Sequence, residues 1–237
     1  MRTGTPVEIP ADWRQALKAE TQRLLGDTIA LSDGDWQTAT SLVGWARFHV
    51  ATHLACHGVA LASLVTTVAR SRHPQPWAIQ PADDCLRTCA GLDAIALQER
   101  LDESSAQLMT ALDLMDEATW EIELKSNGDK YPAKAIILDR LNEVVVHHVD
   151  LHLGFDFADV ESSLLRALLV WNLTRALPRL AGVELRVDSD EGFSCRVGTG
   201  KVVTVRGTEG NIMAWLTGRK GASSVLGAEE LSLWGPV

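Results

Sequence analysis

Arg140-Leu141-Asn142-Glu143-Val144-Val145-Val146-His147-His148-Val149-Asp150-Leu151 is the stretch from which the fold and its chemistry can be read. His147 follows Glu143 by four positions. On a helix that spacing sets the two side chains on one face, one turn apart, where both can reach a single ion. The three valines between them point elsewhere, into a core. Asp150 follows His147 by three residues and lies near enough to that face to orient its imidazole. His148 and His152 fall on a different face and are expected to be surface polar groups or contacts between helices. A lone Glu-x-x-x-His pair is also a common helix-stabilising contact, so a metal reading needs a partner elsewhere in the chain.

The partner lies upstream. His49, His53 and His57 are each four apart and form one stripe on a helix expected from about Ala46 to Arg70. A buried apolar helix rarely carries three imidazoles without purpose. If this helix packs beside the first, any of the three histidines can complete a set of two imidazoles and one carboxylate. Catalytic zinc uses such a set and keeps an open position, and ferrous iron uses the same donors. Val50 to Val68 has the length of a membrane span. Imidazoles inside hydrocarbon are costly, so a core helix of a bundle is expected and no membrane partner.

Two further helical segments accompany these. Trp13, Leu17, Leu24 and Leu25 mark one from about Asp12 to Ala30, and Leu97, Leu101, Leu108 and Leu112 mark one from about Ala94 to Asp116. Pro132 suits a first helical turn and is expected to open the Glu143 helix, which runs to near Gly154. Ser71 to Gly91 reads as a long connection and Ser126 to Tyr131 as a tight turn or hairpin tip. After Gly154 the texture changes. A helix from about Val160 to Leu180 precedes short alternating runs at Val183–Val187, Phe193–Val197 and Val202–Val205, then a last helix from about Gly210 to Leu216. The expectation is an α+β protein: a metal-binding helical bundle over residues 1–157 and a small α/β domain over 160–237.

Composition removes several function classes. The 237 residues carry a formal net charge of -9 with no local basic patch, which disfavours a nucleic-acid partner. Residues 1–10 lack the apolar core of a signal peptide. Cys56, Cys85, Cys89 and Cys195 have neither a zinc-ribbon spacing nor a disulfide framework, so inert reduced thiols in a cytoplasmic protein are expected. Glu143 to His147 is not the HExxH of a zinc protease, nor the Glu-x-x-His of a di-iron bundle, which also needs a second copy. Gly198-Thr199-Gly200-Lys201 has only a superficial likeness to a phosphate loop, and a hairpin turn is expected there.

These motifs together resemble a known family. Gly44-Trp45-Ala46-Arg47-Phe48-His49-Val50-Ala51-Thr52-His53-Leu54 is similar to the GWT…HxxAH segment of the mycothiol-dependent maleylpyruvate isomerase family, within the DinB-like superfamily. The stretch from Arg140 to Leu151 resembles its R-x-x-E-V-x-x-H-x-V-D-L helix, and Trp215-Leu216-Thr217-Gly218-Arg219 its W-L-x-G-R element. The resemblance implies a DinB-like four-helix bundle followed by a sterol-carrier-like α/β domain. It implies His53, Glu143 and His147 as ligands of a divalent metal, zinc by expectation, with Arg140 and Asp150 as supporting residues. It implies that Arg219 reaches a cleft between domains and holds a carboxylate of a small-molecule substrate. Ala46 departs from the threonine usual in the family, and His57, His148 and His152 are additional. The implied activity is isomerisation of maleylpyruvate to fumarylpyruvate with mycothiol, or another low-molecular-weight thiol, by addition, bond rotation and elimination. A thiol S-transferase is the alternative with the same cofactors, and a metal-free binding or regulatory protein is the alternative from another class. The sequence leaves open the oligomeric state and the roles of His49, His57, His148 and His152.

Overall fold

Four long amphipathic helices bury their apolar stripes against one another. In the computed structural model, which describes residues 12–77, 91–126 and 129–231, they are α1 (Trp13–Thr28), α3 (Arg47–Ser71), α4 (Ala94–Leu112) and α6 (Ala135–Asp150). Each packs on two others: α3 on α4 and α6, and α1 on α4 and α6. That closed ring is a four-helix bundle. Leu97, Leu101, Leu108 and Leu112 on α4 and Val50, Leu54, Leu61, Val65 and Val68 on α3 are buried, and the two helices pack on one another. By length and composition α3 could cross a membrane, but it is the bundle's core helix, with buried residues along its whole course.

The described residues divide into two compact units, 12–153 and 154–231. The N-terminal unit also holds two one-turn helices, α2 (Asp33–Trp36) and α5 (Glu117–Trp120), which periodicity cannot register at that length. Each starts at a side-chain cap. Ser32 Oγ accepts from the Asp35 amide at 3.2 Å, and Asp116 Oδ1 accepts from the Thr119 amide at 2.9 Å. α4 stops at Leu112, short of the expected Asp116, which instead caps α5.

Pro132 does not open α6. It ends β3 (Asp129–Pro132), paired antiparallel with β2 (Glu123–Ser126), which in turn runs parallel to the two-residue β1 (Gln75–Pro76). β3 is an edge strand, where a residue without an N–H is tolerated. The signal that suits a first helical turn suits such an edge equally well. The N-terminus, Cys85, Cys89 and most of the Ser71–Gly91 connection lie outside the described residues.

Ala46 is the N-cap of α3. The His49 side chain accepts from the Ala46 amide at 2.9 Å, but the alanine methyl cannot accept in return. The capping box is half built. Ala46→Thr is expected to complete it and stabilise the protein by about 1 kcal/mol, read as a rise in melting temperature of roughly 2–4 °C.

The C-terminal unit holds α7 (Ser162–Ala176), the strands β4 (Val183–Ser189), β5 (Ser194–Gly198) and β6 (Lys201–Gly207), and α8 (Glu209–Leu216). β4 is central, antiparallel to β5 on one side and parallel to β6 on the other. Leu185, Val187, Val203 and Val205 are buried, and α7 and α8 cover the sheet. Gly198-Thr199-Gly200 is therefore no hairpin, because β5 and β6 are not neighbours. The turn wraps around the start of β4, where the Lys201 amide donates to the Gly182 carbonyl at 2.8 Å. Gly198 and Gly200 have φ of +81° and +129°, and a Cβ on them would lie 2.3 Å from the Val183 oxygen and 2.1 Å from the Gly182 oxygen. Only glycine permits a crossing that close.

Candidate metal centre

α3 and α6 run antiparallel with matched spacing. His53 faces Glu143 and His57 faces Asp139, so four residues along one helix correspond to four residues back along the other. Arg47, in the first turn of α3, ties down the far end of α6. Its Nε donates to the Leu151 carbonyl at 2.7 Å and its Nη2 to the His152 carbonyl at 3.1 Å. A cation satisfying the last carbonyls of a helix is favourable in both hydrogen bonding and dipole terms.

At the level of His53 the two helices bring three donors together. His53 Nε2 lies 2.9 Å from Glu143 Oε2, and His147 Nε2 lies 3.3 Å from the same oxygen. The ligand atoms of His53, Glu143 and His147 all fall within 4.8 Å of one another. Donors bound about 2.0–2.2 Å from one tetrahedral ion stand about 3.4 Å apart. The observed separations are on that scale, so these residues fit one divalent ion. Side-chain exposures of 24% for His53, 20% for Glu143 and 12% for His147 leave His53 and Glu143 partly open to solvent and His147 the most enclosed of the three.

The surroundings orient these donors. Asp150, fully buried, accepts from His147 Nδ1 at 2.8 Å, which turns Nε2 toward Glu143. Trp45 stands edge-on to the His53 ring, with centroids 5.8 Å apart. Burial opposes the Glu143 charge, but hydrogen bonds from His147 and His53 outweigh it and hold the carboxyl well below its ordinary range. Burial likewise opposes a charged His147, yet the bonds to Asp150 and Glu143 raise its pKa. Burial dominates at His53 and lowers its pKa despite the Glu143 hydrogen bond. Without metal, Glu143 therefore strongly favours its charged form, His147 takes up a proton more readily than an ordinary imidazole, and His53 less readily. Asp150→Asn is expected to weaken metal binding about 10–100-fold, measured by competition with a chromophoric chelator.

Residues 17–152 match the mycothiol maleylpyruvate isomerase N-terminal domain. The chain belongs to the mycothiol maleylpyruvate isomerase family. Among solved structures, the mycothiol-dependent maleylpyruvate isomerase has the same fold at 24% identity, with a TM-score of 0.79 over 93% of this chain and 94% of that one. A histidine-to-alanine mutant of that isomerase superposes equally well, at 23% identity and a TM-score of 0.79. A comparison with curated proteins finds no match.

In this family member the histidine stripe divides its work. His49 caps α3, His53 stands at the candidate metal centre, and His57 is buried against Asp139, with Nε2 3.2 Å from Oδ2. His148 is buried and contacts Asp27 of α1 at 3.0 Å, while His152 is exposed at the end of α6 with φ of +52°. Arg140 is buried beneath the site and donates through Nη1 to the Leu54 carbonyl at 2.7 Å. Arg219 belongs to the other unit. The W-L-x-G-R element is a helix stop: Trp215 and Leu216 are buried, Gly218 turns the chain at φ of +76°, and Arg219 follows with its guanidinium donating to the Thr217 carbonyl. Cys56 and Cys195 are not disulfide-bonded, and burial followed by the Asp188 charge pushes Cys195 up to about 11, unsuited to a nucleophile. The contact made by Arg47 carried no signal in the sequence beyond its place in the GWT-like segment.

Proposed function

We propose that this chain is a zinc- and mycothiol-dependent cis-trans isomerase that converts maleylpyruvate, or a closely similar unsaturated dicarboxylate, to its trans isomer. The observation that carries the reading is the convergence of His53, Glu143 and His147 within a domain of this family. A divalent ion at such a set supplies the positive charge that removes a thiol's proton near neutral pH. His53 and His147 would hold the ion as neutral donors, with Asp150 keeping the His147 proton on Nδ1. Glu143 lowers the local positive charge, so that a thiolate there stays nucleophilic and can leave again.

Mycothiol held there would supply a sulfur nucleophile for reversible addition to the double bond, with the electron pair taken up by the adjacent carbonyl as an enolate, rotation about the resulting single bond, and return of the thiol on elimination. Arg219 holds a substrate carboxylate by a bidentate pair and offsets the enolate charge. A thiol kept reduced for this purpose accords with a cytoplasmic location.

The test mixes metal-loaded protein, substoichiometric mycothiol and maleylpyruvate. Many turnovers per thiol with fumarylpyruvate as product are the expected result. Stoichiometric loss of thiol into a lasting adduct would instead show an S-transferase, and metal-free protein with neither outcome would remove the enzymatic reading.

A further inference from the structure

Beneath the metal centre, one turn deeper between the same two helices, lies a second polar group that the isomerase chemistry does not use. Arg140, His57 and Asp139 have only 2%, 3% and 3% of their surface exposed. Arg140 Nη1 donates to the Leu54 carbonyl at 2.7 Å and approaches His57 Nδ1 at 3.4 Å, while His57 Nε2 lies 3.2 Å from Asp139 Oδ2. The arginine thus crosses from α6 to the main chain of α3 at the residue after His53. Gly58 makes room for it: a Cβ there would stand 3.3 Å from Nη2 and 3.2 Å from the Ser104 carbonyl oxygen.

A buried charged network is a poor source of stability, because taking its members out of water offsets most of what they gain from one another. Burial does bring Arg140 down to about 10, and the nearby carboxylates of Glu143 and Asp139 hold it up, so it stays charged at neutral pH. What the network specifies is geometry. Arg140 precedes Glu143 by three residues and Asp139 by four, and His57 follows His53 by four with ring centroids 6.1 Å apart. Every member is one turn from a candidate ligand, and the direct bond to the Leu54 carbonyl spans the two ligand-bearing helices.

We propose that Arg140, with His57 and Asp139, forms a buried positioning network that sets how far His53 stands from Glu143 and His147, and so sets the affinity of the metal centre. The inference rests on the metal reading of that site. It implies that removing the network costs metal binding rather than folding.

The experiment uses cobalt(II) as the probe and compares three full-length proteins. The triple variant His57→Leu/Asp139→Leu/Arg140→Met removes all the charges together, so none is left buried alone. It is expected to melt near the wild-type temperature when free of metal, to bind cobalt about 10–100-fold more weakly, and to give an altered visible spectrum. Arg140→Lys keeps the charge but lacks the planar fork and is expected to fall between the two. A folded triple variant with wild-type cobalt affinity and spectrum overturns the proposal, leaving the network a packing feature. If the triple variant does not fold, Arg140→Lys decides alone: weaker cobalt binding in folded protein supports positioning, and unchanged binding refutes it. Wild-type protein that binds no cobalt would sink the metal reading itself and this inference with it, whereas binding in the wild type matched by the variants sinks this inference only.

Discussion

His147→Ala protein is expected to lose its stoichiometric metal while keeping its fold. Wild-type protein should take up one equivalent of zinc. Binding free energies of about 10–16 kcal/mol for four-ligand zinc sites amount to roughly 2.5–4 kcal/mol per ligand. Removing one ligand then weakens binding about 10²–10³-fold, and isomerase activity falls to background. His53→Ala should behave alike. The α6 core beside His147, made by Val144, Val145 and Val146, is untouched, so the helical circular dichroism spectrum should not change. The pH dependence gives a second handle. A metal-bound imidazole must be neutral, and the hydrogen bonds to Asp150 and Glu143, working against burial, raise the His147 pKa above its ordinary value. Metal affinity is therefore level above that raised pKa and falls by up to tenfold per pH unit below it. The decline begins at a higher pH than an unperturbed imidazole near 6.5 would give, and below the raised pKa metal binding releases a proton. His53, with its pKa lowered, adds no such competition there. Chelator competition across pH 5–9 measures both, and retention of wild-type affinity in folded His147→Ala protein would refute the ligand assignment.

Arg219→Ala is expected to leave metal uptake unchanged and to lower kcat/KM about 10²–10³-fold. Two charge-assisted hydrogen bonds to a carboxylate, at about 1.5–3 kcal/mol each before the loss is partly made up by water, account for a fall of that size. Arg219→Lys keeps the charge but cannot present a planar fork, so a smaller defect is expected. The two variants separate substrate holding from metal holding: His147→Ala loses both metal and activity, and Arg219→Ala loses activity alone. Steady-state kinetics beside metal analysis reads the difference. Wild-type kcat/KM in Arg219→Ala would remove the assigned role.

Much of the bundle was legible because its helices are long and periodic. Glu143 and His147 could be paired from spacing alone, since one helical turn is a fixed geometry. His53 could not be chosen from its stripe by periodicity, because His49 and His57 share its face. The family resemblance made the choice; in the structure the His49 side chain accepts from the Ala46 amide, and His57 is buried against Asp139. What escaped the sequence depends on distant chain. Pro132 ends a strand because β2 lies beside it, the Arg47 clamp needs the end of α6 to arrive, and the crossing at Gly198–Gly200 follows from β4 separating β5 and β6. None of these is encoded by neighbours within one turn.

The passage around β4 bears on how this protein can be engineered. A short, polar, glycine-rich link between two strands is where a peptide tag, a fluorophore anchor or a protease site is ordinarily inserted. Here each flanking glycine lies against a carbonyl oxygen at or just before the start of the strand it skirts, closer than any side chain could approach. An insertion at Thr199 would pull the last strand out of register with the middle one. Labels belong elsewhere, for instance at the exposed Val43 tip of the loop before α3.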